Sequence, residues 1–258
     1  MIGFLIKKNF FDVWDNFFKI ALINVGFLAS LAIPVFVPNL FASIPILGTG
    51  VLLIGILCCF VYLSAAAMTL KSISDYGNFT FSDFYANLKT HWLAGLFLGG
   101  VAFALFMLCT AAIPFYLSMK SIVGLLLAAL IFWSMVSAVL ALQFFFAVRS
   151  RLEARFFKAI KKCFIVLLCD PLFCVFSLIH NLFLLAICLF PVFIFVPGPA
   201  GILLFLDEGL RLRLMKYDWL EANPQADRRK IPWDAILIEE REKTGTRSLK
   251  NFIFPWKD

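Results

Sequence analysis

Residues 161–216 decide the predicted fold and read KKCFIVLLCDPLFCVFSLIHNLFLLAICLFPVFIFVPGPAGILLFLDEGLRLRLMK. Two long apolar runs are separated by a proline-rich break, and basic residues stand at both ends. An apolar run of about 20 residues is long enough to cross a bilayer as a helix. The stretch therefore predicts a helical hairpin that crosses a membrane twice, with its turn between Pro191 and Pro199 and both ends on one side.

The composition of the whole chain agrees with a membrane protein. Of the 258 residues, 62% are hydrophobic and 15% are charged, whereas soluble domains average about 45–50% apolar and about 25% charged residues. The 32 phenylalanines suit helices that face lipid. The net charge of +7 is explained by the cytoplasmic bias of basic residues in membrane proteins, so we expect no nucleic-acid partner.

The same hairpin pattern occurs three times along the chain. An amphipathic segment, an apolar run, a turn rich in Pro or Gly and a second apolar run follow one another in each copy. We therefore predict an all-α polytopic membrane protein with six transmembrane helices, arranged as three hairpins with cytoplasmic amphipathic helices. The predicted spans cover residues 20–37, 51–70, 92–117, 122–148, 172–192 and 198–215.

The distribution of basic residues predicts the orientation. With both termini in the cytoplasm, all but one of the 23 Lys and Arg residues lie inside, and no acidic residue lies outside. The exception is Lys120, in the turn between the third and fourth spans. This bias indicates a multi-pass protein of the inner (plasma) membrane with cytoplasmic termini, and the bilayer is its first partner.

Two segments outside the spans are predicted to be amphipathic helices. Residues 1–19 either lie in the membrane interface or form the first turns of the first span. Residues 149–162 are expected to form one basic helix that contacts anionic lipid or a protein partner, unless their charge only sets the topology. The basic stripe of this second helix consists of Arg151, Arg155, Lys158 and Lys162.

Six polar residues lie within the inner halves of the predicted spans. They either line a cavity open to the cytoplasm, with His180 and Asp207 as a proton-sensitive pair, or form hydrogen bonds between helices. Asp207 and Glu208 have a further alternative, which is pairing with Arg211 or Arg213 at helical spacing. The six residues are Asn24, Gln143, His180, Asn181, Asp207 and Glu208.

Small residues predict where helices approach closely. Gly95 and Gly99 form a GxxxG pattern in the third span, which favours packing against another helix of the same chain over dimerisation.

The tail, residues 217–258, is polar and contains two similar Pro-Trp pieces. A Trp beside a Pro in a polar tail is typical of an anchor, either for a protein partner or for the cytoplasmic face of the same chain. The anchor residues are Pro232, Trp233, Pro255 and Trp256.

No motif for chemistry is present in the sequence. The chain has no HExxH, no GxSxG and no phosphate-binding glycine loop, and none of its seven cysteines forms a CxxC pair. We therefore expect no enzymatic activity, no metal site, no cofactor and no disulfide.

Three stretches carry a resemblance to a known family. They are FFDVWDNFFKIALINVGFL at the start, FSDFYANLKTHW before the third span, and AIKKCFIVLLCDPLFCVFSL with the later Gly-Pro element and LRLRL. Across about residues 5–216 the chain resembles the YesL-like bacterial membrane proteins, a family of uncharacterised function. The tail departs from that family, and the first outer loop is longer. The resemblance implies a six-span inner-membrane protein, often linked with carbohydrate uptake systems.

Two functions follow as hypotheses. The first is an accessory membrane protein that holds or regulates a partner, such as a transport system, through its cytoplasmic face and tail. The second is a transporter or channel for small solutes or coupled to protons, which uses the polar residues around His180 and Asp207.

Overall fold

The structure is a computed structural model that describes residues 1–41, 43–153, 155–227, 230–245 and 247. The described residues are almost entirely helical, and none of them lies in a β-strand. Four helical stretches among them are long and apolar enough to cross a membrane, as expected of an α-helical membrane protein. They cover Phe17–Phe41, Pro45–Ser74, Phe81–Ser118 and Ile122–Arg151.

Proline positions explain how the second of these four stretches begins and how the third one is distorted. Helix α1 covers Ile2–Asp15, and α2 covers Phe17–Phe36 and continues as a 3₁₀ helix over Val37–Phe41. Helix α3, Pro45–Ser74, begins at a proline, whose missing N–H has no partner in a first helical turn in any case. Helix α4, Phe81–Met107, passes through a π-helical turn into α5, Ile113–Ser118, because Pro114 cannot donate its backbone hydrogen bond.

Helices α3 and α4 form the most extensive helix pair of the molecule. Gly95 lies against the backbone of Phe60 and Val61, where a Cβ would collide. A Cβ added at Gly99 would lie 3.1 Å from side-chain atoms of Leu57 and Phe60, which is tighter than an ordinary van der Waals contact. The GxxxG pattern thus contacts another helix of the same chain.

The basic segment after the fourth span differs from its prediction. Residues 149–162 do not form one helix, because α6, Ile122–Leu142, is followed by α7, Phe145–Arg151, and the chain then leaves the helix before α8, Phe156–Cys169. The Arg155 backbone N–H donates to the Glu153 side chain at 3.1 Å, which stabilises the break. Arg151 is therefore separated from Arg155, Lys158 and Lys162, and the predicted four-residue stripe is interrupted.

The last apolar region is a bent and broken hairpin. Helix α9, Pro171–Ile187, follows α8 at an angle of 103°. A turn and the short α10, Pro191–Phe195, lead into α11, Gly198–Ala222, which runs beyond the predicted end of the sixth span. The tail then forms two short helices, α12, Trp233–Ile236, and α13, Ile238–Thr244.

Candidate functional site: a buried charge network at the inner end of the bundle

The structure distributes the six predicted polar residues over separate places. Asn24 is fully buried and holds the start of α11. Its Nδ2 donates to the carbonyl oxygens of Phe195 at 2.8 Å and Pro197 at 2.9 Å, and its Oδ1 accepts from the Ala200 N–H at 2.8 Å. Asn24 thus satisfies backbone groups at a helix terminus that would otherwise be costly to bury.

Gln143 and Asn181 form a polar bridge between α6 and α9. The Asn181 side-chain amide donates to Gln143 Oε1 at 3.5 Å, and the Gln143 amide donates to the Cys174 carbonyl oxygen at 2.9 Å. These contacts are of the kind that joins neighbouring helices in membrane bundles.

His180 lies in apolar surroundings, away from the acidic residues of α11. Its ring stacks on Phe205 with centroids 3.8 Å apart, and it faces a cavity of about 410 Å³ whose other lining is mainly Phe, Val, Leu and Trp. In the described part of the chain, His180 Nδ1 has no hydrogen-bond partner. Asp207 follows Phe205 by two residues, so its side chain points about 200° around the helix from Phe205, on which His180 stacks. The structure therefore does not bring His180 and Asp207 together.

Asp207 instead pairs with Arg151. The Asp207 carboxylate accepts from Arg151 Nε at 3.0 Å and from Arg151 Nη2, and also from the Ser150 hydroxyl at 2.9 Å. Arg151 Nη2 further contacts the Ser74 hydroxyl at 2.8 Å and Asp75 at 3.0 Å. The two-pronged geometry is the strong form of an arginine–carboxylate pair, and it joins α7, α11 and the end of α3.

Arg211 connects this pair to the tail. Its guanidinium lies 3.4 Å from Asp75 and 2.7 Å from Glu240 of α13, and it also donates to the Ser74 carbonyl oxygen. The Tyr76 hydroxyl donates to Glu240 at 2.9 Å, and Glu240 is buried. Arg211 therefore does not pair with Asp207, and Arg213 contacts Asp170 at 3.2 Å, so neither predicted pairing at helical spacing is formed.

Burial of Tyr76 raises the pKa of its hydroxyl to about 12. Tyr76 also adopts a left-handed backbone conformation, with φ of 59°. A bulky residue in this region is strained, and its neighbours must hold it there.

Lys8 of α1 and Glu208 of α11 are fully buried and complete the group. The Lys8 ammonium lies 3.6 Å from Glu208, 2.5 Å from Asp12 and 4.0 Å from the centroid of the Tyr76 ring. Neither Glu208 oxygen has a hydrogen-bond partner among the described residues. Burial alone would lower the pKa of Lys8, but the charges of Glu208 and Asp12 outweigh it and raise that pKa.

We call these connected side chains the inner charge network. It joins α1, the end of α3, α7, α11 and the tail helix α13, and its members are buried or partly buried except for the exposed Asp75. It consists of Lys8, Asp12, Asp75, Tyr76, Arg151, Asp207, Glu208, Arg211 and Glu240.

No family model matches the chain, nor does any curated protein or solved structure. The resemblance to the YesL-like proteins stays a prediction.

Sequence analysis named Arg151, Asp207, Glu208 and Arg211, but it did not predict that the other five residues of the network join them. Lys8 and Asp12 are four residues apart in an amphipathic helix, a spacing that places both on its polar face. Their burial depends on α11 lying against α1, which no local pattern shows. Tyr76 and Glu240 carry no signal of their own, because each looks like an ordinary loop or tail residue.

The rest of the basic stripe lies outside this network. Arg155 and Lys158 are exposed. Lys162 donates to the Leu152 carbonyl oxygen at 3.1 Å and lies 3.9 Å from Glu153. In the parts of the chain that the structure describes, no three His, Cys, Asp or Glu side chains are grouped closely enough to hold a metal ion.

The first Pro-Trp piece of the tail docks on the same chain. Trp233 packs against the main hydrophobic cluster, with the Arg213 guanidinium 5.9 Å from its ring centroid, and Pro232 directly precedes α12. Pro255 and Trp256, the second predicted anchor, lie outside the described residues.

Proposed function

We propose that the chain is a multi-pass inner-membrane protein with both termini in the cytoplasm. The positive-inside bias of its basic residues supports this orientation. Contacts between the two end regions support a common side for both termini, because Arg247 lies 2.9 Å from Asp15 and Lys7 donates to the Gly245 carbonyl oxygen at 3.2 Å.

The predicted six spans and an arrangement of four spans with a re-entrant hairpin both keep the termini on one side. We favour the re-entrant arrangement for α9, α10 and α11. Arg211 of α11 reaches the end of α3. The part of α11 from Gly198 to Arg211 is only about 20 Å long, which is less than the roughly 30 Å thickness of a hydrocarbon core. Asn24 supplies the hydrogen bonds that the turn needs within the bundle.

For function, we propose a non-enzymatic accessory role, in which the cytoplasmic face holds a protein partner. The observation that carries this proposal is the buried Glu240 carboxylate, which fixes the tail helix α13 to the inner charge network. The tail therefore packs on the bundle and forms one continuous surface with α1. A transport system is the partner class we propose, and the link to carbohydrate uptake rests on the family resemblance alone.

Copurification from native membranes tests the accessory role. The variant Ile238→Glu changes an exposed residue of α13 without touching Glu240. We expect a stoichiometric partner with the unaltered protein and its loss with Ile238→Glu, while the thermal unfolding midpoint stays the same. Equal partner recovery from both proteins would count against a role for the tail surface.

Proton-coupled transport is the second candidate, and the buried Lys8–Glu208 pair favours it. Buried ionisable residues in membrane proteins commonly mark ion or proton pathways. Solute flux in proteoliposomes should then be lost in Glu208→Gln and Asp207→Asn. The variant His180→Ala tests whether the cavity predicted around His180 also takes part. Absence of flux with every solute class in the unaltered protein would exclude this function.

A further inference from the structure

A second groove lies near the start of α4, and none of its lining residues belongs to the inner charge network. It has a volume of about 410 Å³ and is formed between α4, the end of α7 and the start of α8. Its lining is mainly apolar, and Leu93 and Phe157 are largely exposed along it. The lining residues are Thr90, Leu93, Ala94, Phe97, Arg149, Phe156 and Phe157.

Arg149 is the unusual member of this groove. Its Nε is buried and has no hydrogen-bond partner among the described residues. The other half-buried arginines of the described chain each contact a carboxylate: Arg151 contacts Asp207, Arg211 contacts Glu240 and Arg213 contacts Asp170. A half-buried guanidinium without an anion is costly, so the groove is complementary to a negative group.

The sequence around the groove predicts that it lies at the level where lipid headgroups meet acyl chains. On α4, Thr90 and His91 end a polar segment, and the apolar part begins at Trp92, which is 45% exposed. Arg149 likewise stands near the end of the apolar stretch Ile122–Arg151. Half-exposed Trp and basic residues are typical of the membrane–water interface.

We propose that this groove binds one anionic phospholipid, with the phosphodiester on Arg149 and an acyl chain along Leu93, Phe97 and Phe157. Among the described residues that line the groove there is no carboxylate to receive the ammonium of a zwitterionic headgroup. A lipid with net negative charge therefore fits better than a zwitterionic one. The apolar length of the groove favours a lipid over a free phosphate.

Native mass spectrometry of the delipidated full-length protein tests this site. We expect one phosphatidylglycerol to bind more tightly than phosphatidylcholine, and Arg149→Gln to weaken phosphatidylglycerol binding about tenfold, as expected for loss of a charge-assisted pair. Arg149→Lys keeps the charge but loses the planar fork, so it should retain the lipid preference with weaker binding. Lys161→Gln removes an exposed charge from α8 and should bind like the unaltered protein.

Three outcomes would overturn the proposal. They are equal binding of the two lipids by the unaltered protein, unchanged phosphatidylglycerol binding in Arg149→Gln, and full competition by inorganic phosphate, which would indicate a site for a soluble anion. Thermal unfolding of each variant shows whether it folds. If Arg149→Gln does not fold, the comparison of Arg149→Lys with Lys161→Gln decides, and equal binding by those two variants contradicts the proposal.

Discussion

Lys8 and Glu208 show how much a single buried charge depends on its counterpart. Both are shielded from water, and Asp12 provides Lys8 with a second carboxylate. Removing one partner of a buried ion pair costs about 3–5 kcal/mol, because the remaining charge has neither water nor a counterion.

Lys8→Met should therefore lower the free energy of unfolding by about 3 kcal/mol or more. The double variant Lys8→Met/Glu208→Gln should recover part of this loss, since it leaves no charge on residue 208. Denaturant unfolding in detergent measures both effects. A double variant that is no more stable than Lys8→Met would show that the pair is not coupled.

The Tyr76 hydroxyl predicts a loss of stability at alkaline pH. An unfolded tyrosine has a pKa near 10, whereas the folded pKa is about 12. Between these values the unfolded chain has lost the proton that the folded chain keeps, so stability falls as pH rises from about 10 to about 12. The fall should be shallower in Tyr76→Phe, as followed by unfolding at each pH. Identical pH dependence of stability in the two proteins would contradict a raised pKa of the Tyr76 hydroxyl.

Gly198 is required for the start of α11. Its φ of +54° is unfavourable for other residues, and a Cβ would collide with Asn24. Gly198→Ala should destabilise the protein by about 1–3 kcal/mol. Gly100→Ala is the matched control, because nothing lies within 4 Å of that position in a helix. The control should be neutral or slightly stabilising, and equal losses in both variants would contradict the strain argument.

At the scale of elements, the four long helices could be predicted and the last hairpin only in part. The apolar runs and prolines indicate α2, α3, α4 and α6, because length and hydropathy are local properties. The break after Arg151 was not predictable, since it accompanies the pairing of Arg151 with Asp207, 56 residues away. Asn24 was recognised as polar, but its role at the start of α11 depends on packing between distant helices.

The re-entrant arrangement of α9–α11 is open to direct labelling. In a cysteine-free background, Lys120→Cys should react with a membrane-impermeant maleimide in intact cells, because the predicted topology places it outside. Leu189→Cys, in the turn after α9, should not react, although Leu189 is 84% exposed in the isolated chain. Labelling of both positions would favour six full spans.

At the scale of the whole molecule, the buried Glu240 carboxylate is a main polar contact between the tail and the rest of the chain. Glu240→Ala removes the partner of Arg211 and Tyr76, and we expect α13 to detach. Trypsin should then cleave after Arg241 or Lys243 faster than in the unaltered protein, as followed by mass spectrometry. The neighbouring Glu239→Ala changes an exposed side chain and should leave the cleavage rate unchanged. Equal cleavage rates in the two variants would contradict the role of Glu240 in holding α13.

The contacts of Lys8 also set an order for biosynthesis. Helix α1 leaves the ribosome first, yet its buried lysine finds Glu208 only after four fifths of the chain has been made. Tyr76 receives its tail partner later still, when Glu240 emerges. The first helix therefore lacks its packing partners through most of translation. The bundle can complete its packing only when synthesis is nearly finished.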